Sequence, residues 1–305
     1  MVMYPQRLTE HIMLLGNRYL QTYLILGDKA SVLIESGISA TAPQLVEQLI
    51  ASHTDPSSID FLFLTHAHAD HVTGAPVLKS MMPQLVVAGS VETKRLLEKK
   101  KVQDIFFQDD QDISIGLQKL GAVTNPAVPS ISLNGLVNKD IHAGEVLDLG
   151  GLSMEAIQAP GHCRGGMAFW IPEEKVLFCS DYLGFFLAPD RFVPNFYVDF
   201  ADYMTTFESL QKLAPRWLCP GHCGVYAEQE ARDFVNQSRA EMEWVYDYVV
   251  RHSAGSDAPN NLREALFERY YVREGRMFSE QSTRYCMDLI IRRILEAAFK
   301  QGDRE

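Results

Sequence analysis

The chain has 305 residues, 47% of them hydrophobic, enough apolar material for one large domain or two small ones. Its formal charge of -11 disfavours a nucleic-acid partner, because phosphate-backbone binding needs clustered Lys and Arg. No apolar run reaches membrane-spanning length, Met1 to Gly16 lacks a signal-peptide core, and five cysteines without framework spacing indicate free thiols in a reducing compartment. The expectation is a cytoplasmic protein.

Ile12 to Leu15, Thr22 to Leu26 and Ser31 to Glu35 are β-rich runs broken by Gly16-Asn17 and Gly27-Asp28, and read as an antiparallel meander. Ala42 to Ser52 has helical spacing and leads to the apolar run Ile59 to Leu64, a buried strand. Directly after it come Thr65-His66-Ala67-His68-Ala69-Asp70-His71. In a nearly extended loop alternate residues point the same way, so His66 and His68 can share one metal ion. Asp70 and His71 can turn toward a second ion as the chain curls into a helix. A merely polar loop accounts poorly for four candidate ligands in six positions.

Pro76 to Met82 reads as a helix, Leu85 to Ala88 as a short strand, and Val91 to Leu97 as a helix ending in the charged stretch Glu98 to Lys101. Strand–helix–strand alternation here fits an α/β layer. The segment from Val102 to Asn138 has no clear pattern. Its run Gln108-Asp109-Asp110-Gln111-Asp112 lacks calcium-loop spacing and reads as a solvated face or loop, while Asn125-Pro126 and Val128-Pro129 mark a crossing loop. Glu145 to Leu149, Ser153 to Gln158, Gly166 to Ile171 and Lys175 to Cys179 form a second run of strands. An aromatic segment from Tyr182 to Phe200 comes next, either a wall beside a reaction centre or a packing seam. Met204 to Leu213 is helical and Arg216 to Cys219 a strand. From Ala227 three helices are expected: Glu228 to Arg251, Pro259 to Tyr271 and Ser279 to Phe299.

The motif His66-Ala67-His68-Ala69-Asp70-His71 resembles the HxHxDH signature of the metallo-β-lactamase superfamily. Pro160-Gly161-His162, Val176 to Asp181, and Trp217 to His222 resemble that family's later motifs, in its order. The resemblance implies an αβ/βα four-layer sandwich over residues 1–226, with 227–305 as an added helical segment capping the cleft. It implies His66, His68 and His162 at one metal, Asp70, His71 and His222 at a second, and Asp181 bridging. Asp70 and Asp181 are then also the catalytic residues. The family commonly has aspartate where Glu35 stands, so Glu35 is either a buttress of the metal loop or an ordinary strand-end carboxylate. The donor set suits zinc foremost, with iron or manganese as alternatives.

Within the superfamily the chain resembles glyoxalase II and, most nearly, quinolone-signal response type thioesterases, both of which carry helical C-terminal segments. That likeness implies a dinuclear hydrolase of a small ester, thioester or lactone, acting through a hydroxide held between the ions. A phosphodiesterase or nuclease of the same fold, or a regulatory protein that retains the metal site, are the alternatives. The expected partner is a small acyl substrate, with no nucleic acid or membrane; a homodimer stays open. A thiol follows each PGH histidine, at Cys163 and Cys223, either as a small buried hydrophobe or as a redox-sensitive group near the metals.

Overall fold

The structure is a computed structural model that describes residues 3–128, 131–255 and 257–302. Pro129, expected to mark a loop, lies outside the described residues, as do Met1 and Val2.

The first half forms a seven-stranded sheet in sequential order: β1 (Gln6–Arg7), β2 (Ile12–Gly16), β3 (Gln21–Leu26), β4 (Ser31–Ile34), β5 (Phe61–Phe63), β6 (Val86–Ser90) and β7 (Lys139–Ile141). Tight turns join β1 to β4, so those strands run antiparallel. Helices cross between the later strands, and β4 to β7 are parallel, as crossover connections require. The crossovers are α1 (Ala42–Ala51), then α2 (Ala69–Val72) with α3 (Ala75–Met81), then α4 (Val91–Leu97) with α5 (Lys100–Lys119).

The second sheet comprises β8 (Val146–Asp148), β9 (Ser153–Gln158), β10 (Met167–Ile171), β11 (Val176–Ser180), β14 (Trp217–Pro220) and β15 (Tyr226–Ala227), in spatial order β15-β14-β11-β10-β9-β8. A separate hairpin of β12 (Phe185–Ala188) and β13 (Arg191–Val193) precedes α6 (Phe200–Lys212), which carries the chain to β14. Strand β14 runs parallel to β11.

Side-chain alternation along each strand builds the layers. Ile12, Leu14, Tyr23, Ile25, Val32, Ile34 and Phe63 meet Met154, Phe169, Ile171 and Phe178 of the other sheet. Their neighbours Met13, Leu15, Leu24, Leu33 and Leu62 pack under α1 and α3 instead. Both faces are covered, so these strands are apolar throughout rather than alternating with polar residues. Phe63 stacks on Phe169 across the inter-sheet core, with centroids 5.4 Å apart, directly beneath the loop that begins at Thr65. The outer face of the second sheet, with Ala168, Trp170, Leu177 and Leu218, is covered by α6, α7 (Gln229–Arg251), α8 (Ala258–Tyr270) and α9 (Glu280–Gly302). The result is the αβ/βα sandwich with helices added at the C-terminus.

One segment differs from expectation. Gln108 to Asp112 lies in the middle of α5, where Gln108 and Gln111 stand on the solvated face as expected but Asp110 is buried. Phe106, Asp110, Ile113 and Leu117 form one buried stripe at helical spacing, with an acid in the middle of it. Asp110 is tolerated there because it accepts hydrogen bonds from the Ser39 amide at 2.8 Å, from Ser39 Oγ at 2.5 Å and from Thr73 Oγ1.

Candidate metal centre

The ends of four neighbouring strands meet at one edge of the sandwich. After β4 comes Glu35, after β5 the loop Thr65–His68 and then α2, after β11 Asp181, and after β14 Gly221 and His222. The crevice at the carboxyl ends of parallel strands is where open α/β sheets place their sites. Three of the turns use left-handed backbone at residues other than glycine: Glu35 (φ 72°), Ser180 (φ 46°) and Cys223 (φ 62°). Such strain costs about 1 kcal/mol or more at each position and collects at functional sites.

The two PGH turns have different reasons for their glycines. At Gly161 φ is +104°, and a Cβ would meet the Tyr203 amide nitrogen at 2.2 Å. At Gly221 a Cβ would stand 2.8 Å from His71 Cε1 and 3.1 Å from Asp181 Oδ1, so the constraint is room beside the site itself.

Two groups of side chains converge. In the first, His66 Nε2, His68 Nδ1 and His162 Nε2 form a triangle with edges of 3.0, 3.1 and 3.2 Å. Two imidazole nitrogens on one tetrahedral zinc would stand roughly 3.3 Å apart, from bonds of 2.0–2.1 Å. In the second, His222 Nε2 is 3.3 Å from Asp70 Oδ2, and His71 Nε2 is 3.6 Å from the same oxygen. Asp181 joins them. Its Oδ1 is 3.3 Å from His222 Nε2, and its Oδ2 is 3.7 Å from both His71 Nε2 and His162 Nε2. His66, His71, His162, His222, Asp70 and Asp181 are buried and His68 is half-buried. All seven sequence-predicted residues therefore meet at this edge.

A set of partners behind them fixes the rings. His162 Nδ1 donates to the Asn195 carbonyl at 2.6 Å, and His222 Nδ1 to the Tyr19 carbonyl at 2.7 Å. Both rings are thus anchored through Nδ1 and turn Nε2 inward, the nitrogen left for a metal. Glu35 is the hub, so it is a buttress and not an idle strand-end acid. Its Oε1 accepts from Thr65 Oγ1 at 2.5 Å, from Ser180 Oγ at 2.7 Å and from His71 Nδ1 at 3.1 Å. Asn195 also reaches Asp181 Oδ2 with its side-chain amide at 3.5 Å, and Tyr197 OH donates to Asn195 Oδ1 at 3.0 Å. Sequence reasoning missed Thr65, Ser180, Asn195 and the Tyr19 carbonyl. Thr65 and Ser180 directly precede ligand candidates, a positional signal; a backbone carbonyl leaves none.

Electrostatics divides the groups. Burial, reinforced by the neighbouring imidazoles, pushes His66 well below the usual histidine range and His68 down to about 3. Burial also lowers His162. On His71 and His222 burial acts the same way but is outweighed. Glu35, Asp70 and Asp181 raise His71 well above its ordinary value, and Asp181 with Asp70 raises His222 to about 10. Burial works against charge on Asp70, yet His71 and His222 hold its carboxyl down at about 2, and His222 and His71 likewise hold Asp181 well below the carboxylate range.

These residues fit divalent metal. His71 Nε2, His222 Nε2 and Asp181 Oδ1 are buried polar atoms with no hydrogen-bond partner, all aimed at one spot. Three imidazole nitrogens crowd together with their charged forms suppressed, which is how neutral histidine ligands present themselves. Groups of three able to hold an ion comprise His66, His68 and His162; Glu35, His66 and His71; and Asp70, His71 and His222. The second of these is already engaged through the Glu35 hydrogen bonds. Cys163 and Cys223 contribute no thiolate: burial pushes the Cys163 thiol up to about 11 and that of Cys223 well above its usual value.

A two-sheet sandwich with a His/Asp cluster on the strand-end edge defines a class of metal-binding α/β proteins. A sequence model of the metallo-β-lactamase superfamily matches residues 16–222, and the chain belongs to that superfamily. Among relatives, it is 24% identical to the metallo-β-lactamase fold-containing protein ST1585 of Sulfurisphaera tokodaii, over 72% of this chain and 79% of that protein. It is also 24% identical to the hydroxyacylglutathione hydrolase of Brucella ovis, over 69% of this chain and 65% of the relative, just under two thirds of the latter's length. Among solved structures, the metallo-β-lactamase family protein TTHA1429 of Thermus thermophilus superposes with a TM-score of 0.62 at 18% identity, covering 92% of this chain and 94% of that one. The ST1585 structure gives a TM-score of 0.59 at 21% identity, covering 77% and 86%. These structural likenesses concern the fold. Among the described residues, no helix is long and apolar enough to cross a membrane.

Proposed function

We propose that the chain is a dinuclear metal-dependent hydrolase of a small ester, thioester or lactone. The observation that carries this reading is that two ligand groups share Asp181 at one end of an apolar cavity. His66, His68 and His162 would hold one ion, Asp70, His71 and His222 the other, and Asp181 both. Zinc is the first choice for this nitrogen and oxygen set, followed by iron and manganese. Divalent ions bound there supply an acidified water and an electrophile for the developing oxyanion.

The chain's own residues do the rest. Asp70, held ionised throughout the neutral range, accepts a hydrogen bond from water at Oδ2 and so orients a lone pair toward the acyl carbon. The Asn195 amide fixes Asp181 at Oδ2. Tyr197, whose ring lies 5.2 Å from that of His162 and 6.3 Å from that of His68, shields this end from bulk water. No side-chain nucleophile is required, in keeping with thiols held in the protonated form.

The same proposal divides the chain into a catalytic part, 1–226, and a helical extension, 227–305, that walls the cleft. It takes a small acyl compound as partner, and places the protein in the cytoplasm on the strength of its free cysteines. The hydroxyacylglutathione hydrolase relatives favour a thioester. A panel of acyl thioesters, esters and lactones against bis-phosphodiesters, run with metal-loaded protein, tests it. Turnover confined to the acyl substrates is expected. Turnover of phosphodiesters alone, or of nothing, would refute it.

A further inference from the structure

We propose that the cavity beside the metal centre selects a neutral, apolar acyl group and rejects acyl groups that end in a carboxylate. This deepens the hydrolase reading and rests on it for the word acyl.

The cavity has a volume of about 270 Å³ and begins at His68, Asp70 and Asp181. That is far more room than one or two waters need, so an organic chain can enter it. Three segments distant in sequence line it: Phe106 and Ile113 from α5, Phe185 and Leu187 from β12, and Met287 and Leu289 from α9. Ile105 and Tyr285 also line it, yet are 50% and 64% exposed. Two large apolar side chains kept in water at the rim of an apolar cavity make an entrance suited to an apolar guest.

The charges point the same way. No Lys or Arg stands among the described lining residues, and beyond the ligand candidates the one charged side chain is Asp109 on α5. An acyl chain ending in a carboxylate would bring a second negative charge into apolar surroundings beside Asp109, with no cation to pair it. A plain alkyl chain would bury its methylenes against the aromatic and aliphatic walls, tightening binding about three- to fourfold for each methylene that still fits.

The test is equilibrium binding to the full-length, metal-free protein by calorimetry, using amides from butanamide to decanamide and the monoamide of suberic acid. Affinity should rise about three- to fourfold for each added carbon that the cavity still buries. The suberic monoamide should bind at least tenfold more weakly than octanamide, and Asp109→Asn should narrow that gap. Met287→Trp, which fills the cavity, should abolish the dependence on chain length; Leu187→Trp serves if that variant fails to fold. Affinity that ignores chain length, equal binding of the suberic monoamide, or folded Trp variants that bind like wild type would overturn the assignment. Binding is read without turnover, so the two proposals fail separately. Octanamide binding by a protein that hydrolyses no acyl substrate would refute the hydrolase reading alone, whereas equal turnover of acetyl and octanoyl thioesters would refute the pocket alone.

Discussion

Glu35→Gln isolates charge from shape at the hub behind the metal loop. The side-chain carbonyl can stay where Oε1 is and still accept from Thr65, Ser180 and His71, at 2.5, 2.7 and 3.1 Å in the native protein. What is lost is the charge that strengthens each bond; charge-assisted bonds contribute about twice what neutral ones do, so about 1 kcal/mol per bond and roughly 3 kcal/mol in all is at stake. The new amide NH₂ also replaces Oε2, which is buried and has no partner, adding a donor without an acceptor. Part of that loss should appear as lower stability, and part as a metal affinity reduced about 10- to 100-fold, the usual effect of removing a group that orients a ligand. The effect should be uneven. Glu35 holds His71 directly but reaches His66 only through Thr65, so the ion at Asp70, His71 and His222 should weaken more than the one at the three histidines. Competition against a chelator of known affinity, with thermal melting of the metal-free protein alongside, measures both parts. Superimposable competition curves for wild type and variant would refute the role given to Glu35.

Asp181→Ala should cost most in metal content, because the Asp181 carboxylate lies between the two groups; elemental analysis after full loading should fall from about two ions per chain to one or fewer. Gly221→Ala, through contacts of 2.8 Å with His71 and 3.1 Å with Asp181, should weaken metal retention at least tenfold in the same chelator assay while the fold survives. Asp109 offers a pH signature: burial, then Asp70 and Asp112, raise its carboxyl from 3.8 to about 6. The unfolded chain therefore releases that proton first, and the carboxyl's contribution to stability is present below about pH 3.8 and lost as pH rises through about 6. Asp109→Asn should accordingly raise the melting temperature of metal-free protein at pH 7.5 and leave it nearly unchanged at pH 4.

The sequence made the site legible because metal chemistry restricts residue types. Four ligand candidates in six positions have few other uses, and the remaining three come after strands in recognisable turns. The strands of the inter-sheet core were readable too, since β-branched and aromatic runs between glycine turns allow few alternatives. Helix α5 was not. Its buried stripe runs through Asp110, and the partners that make a buried acid acceptable there, Ser39 and Thr73, are remote in sequence. The aromatic segment after Asp181 likewise resolved both ways. Phe185 and Leu187 face the cavity, whereas Phe186 and Phe192 pack on Phe234 of α7. Alternation along a hairpin decides which side each ring takes, and only the partners on the two sides reveal which is the cavity.

Titrating zinc into metal-free protein while following octanoyl-thioester hydrolysis tests the central claim most directly. Activity should appear as the ions bind and level off at about two per chain, by the two-site logic of Asp181 between the ligand groups. A protein that takes up two ions and cleaves no thioester, ester or lactone would contradict the account.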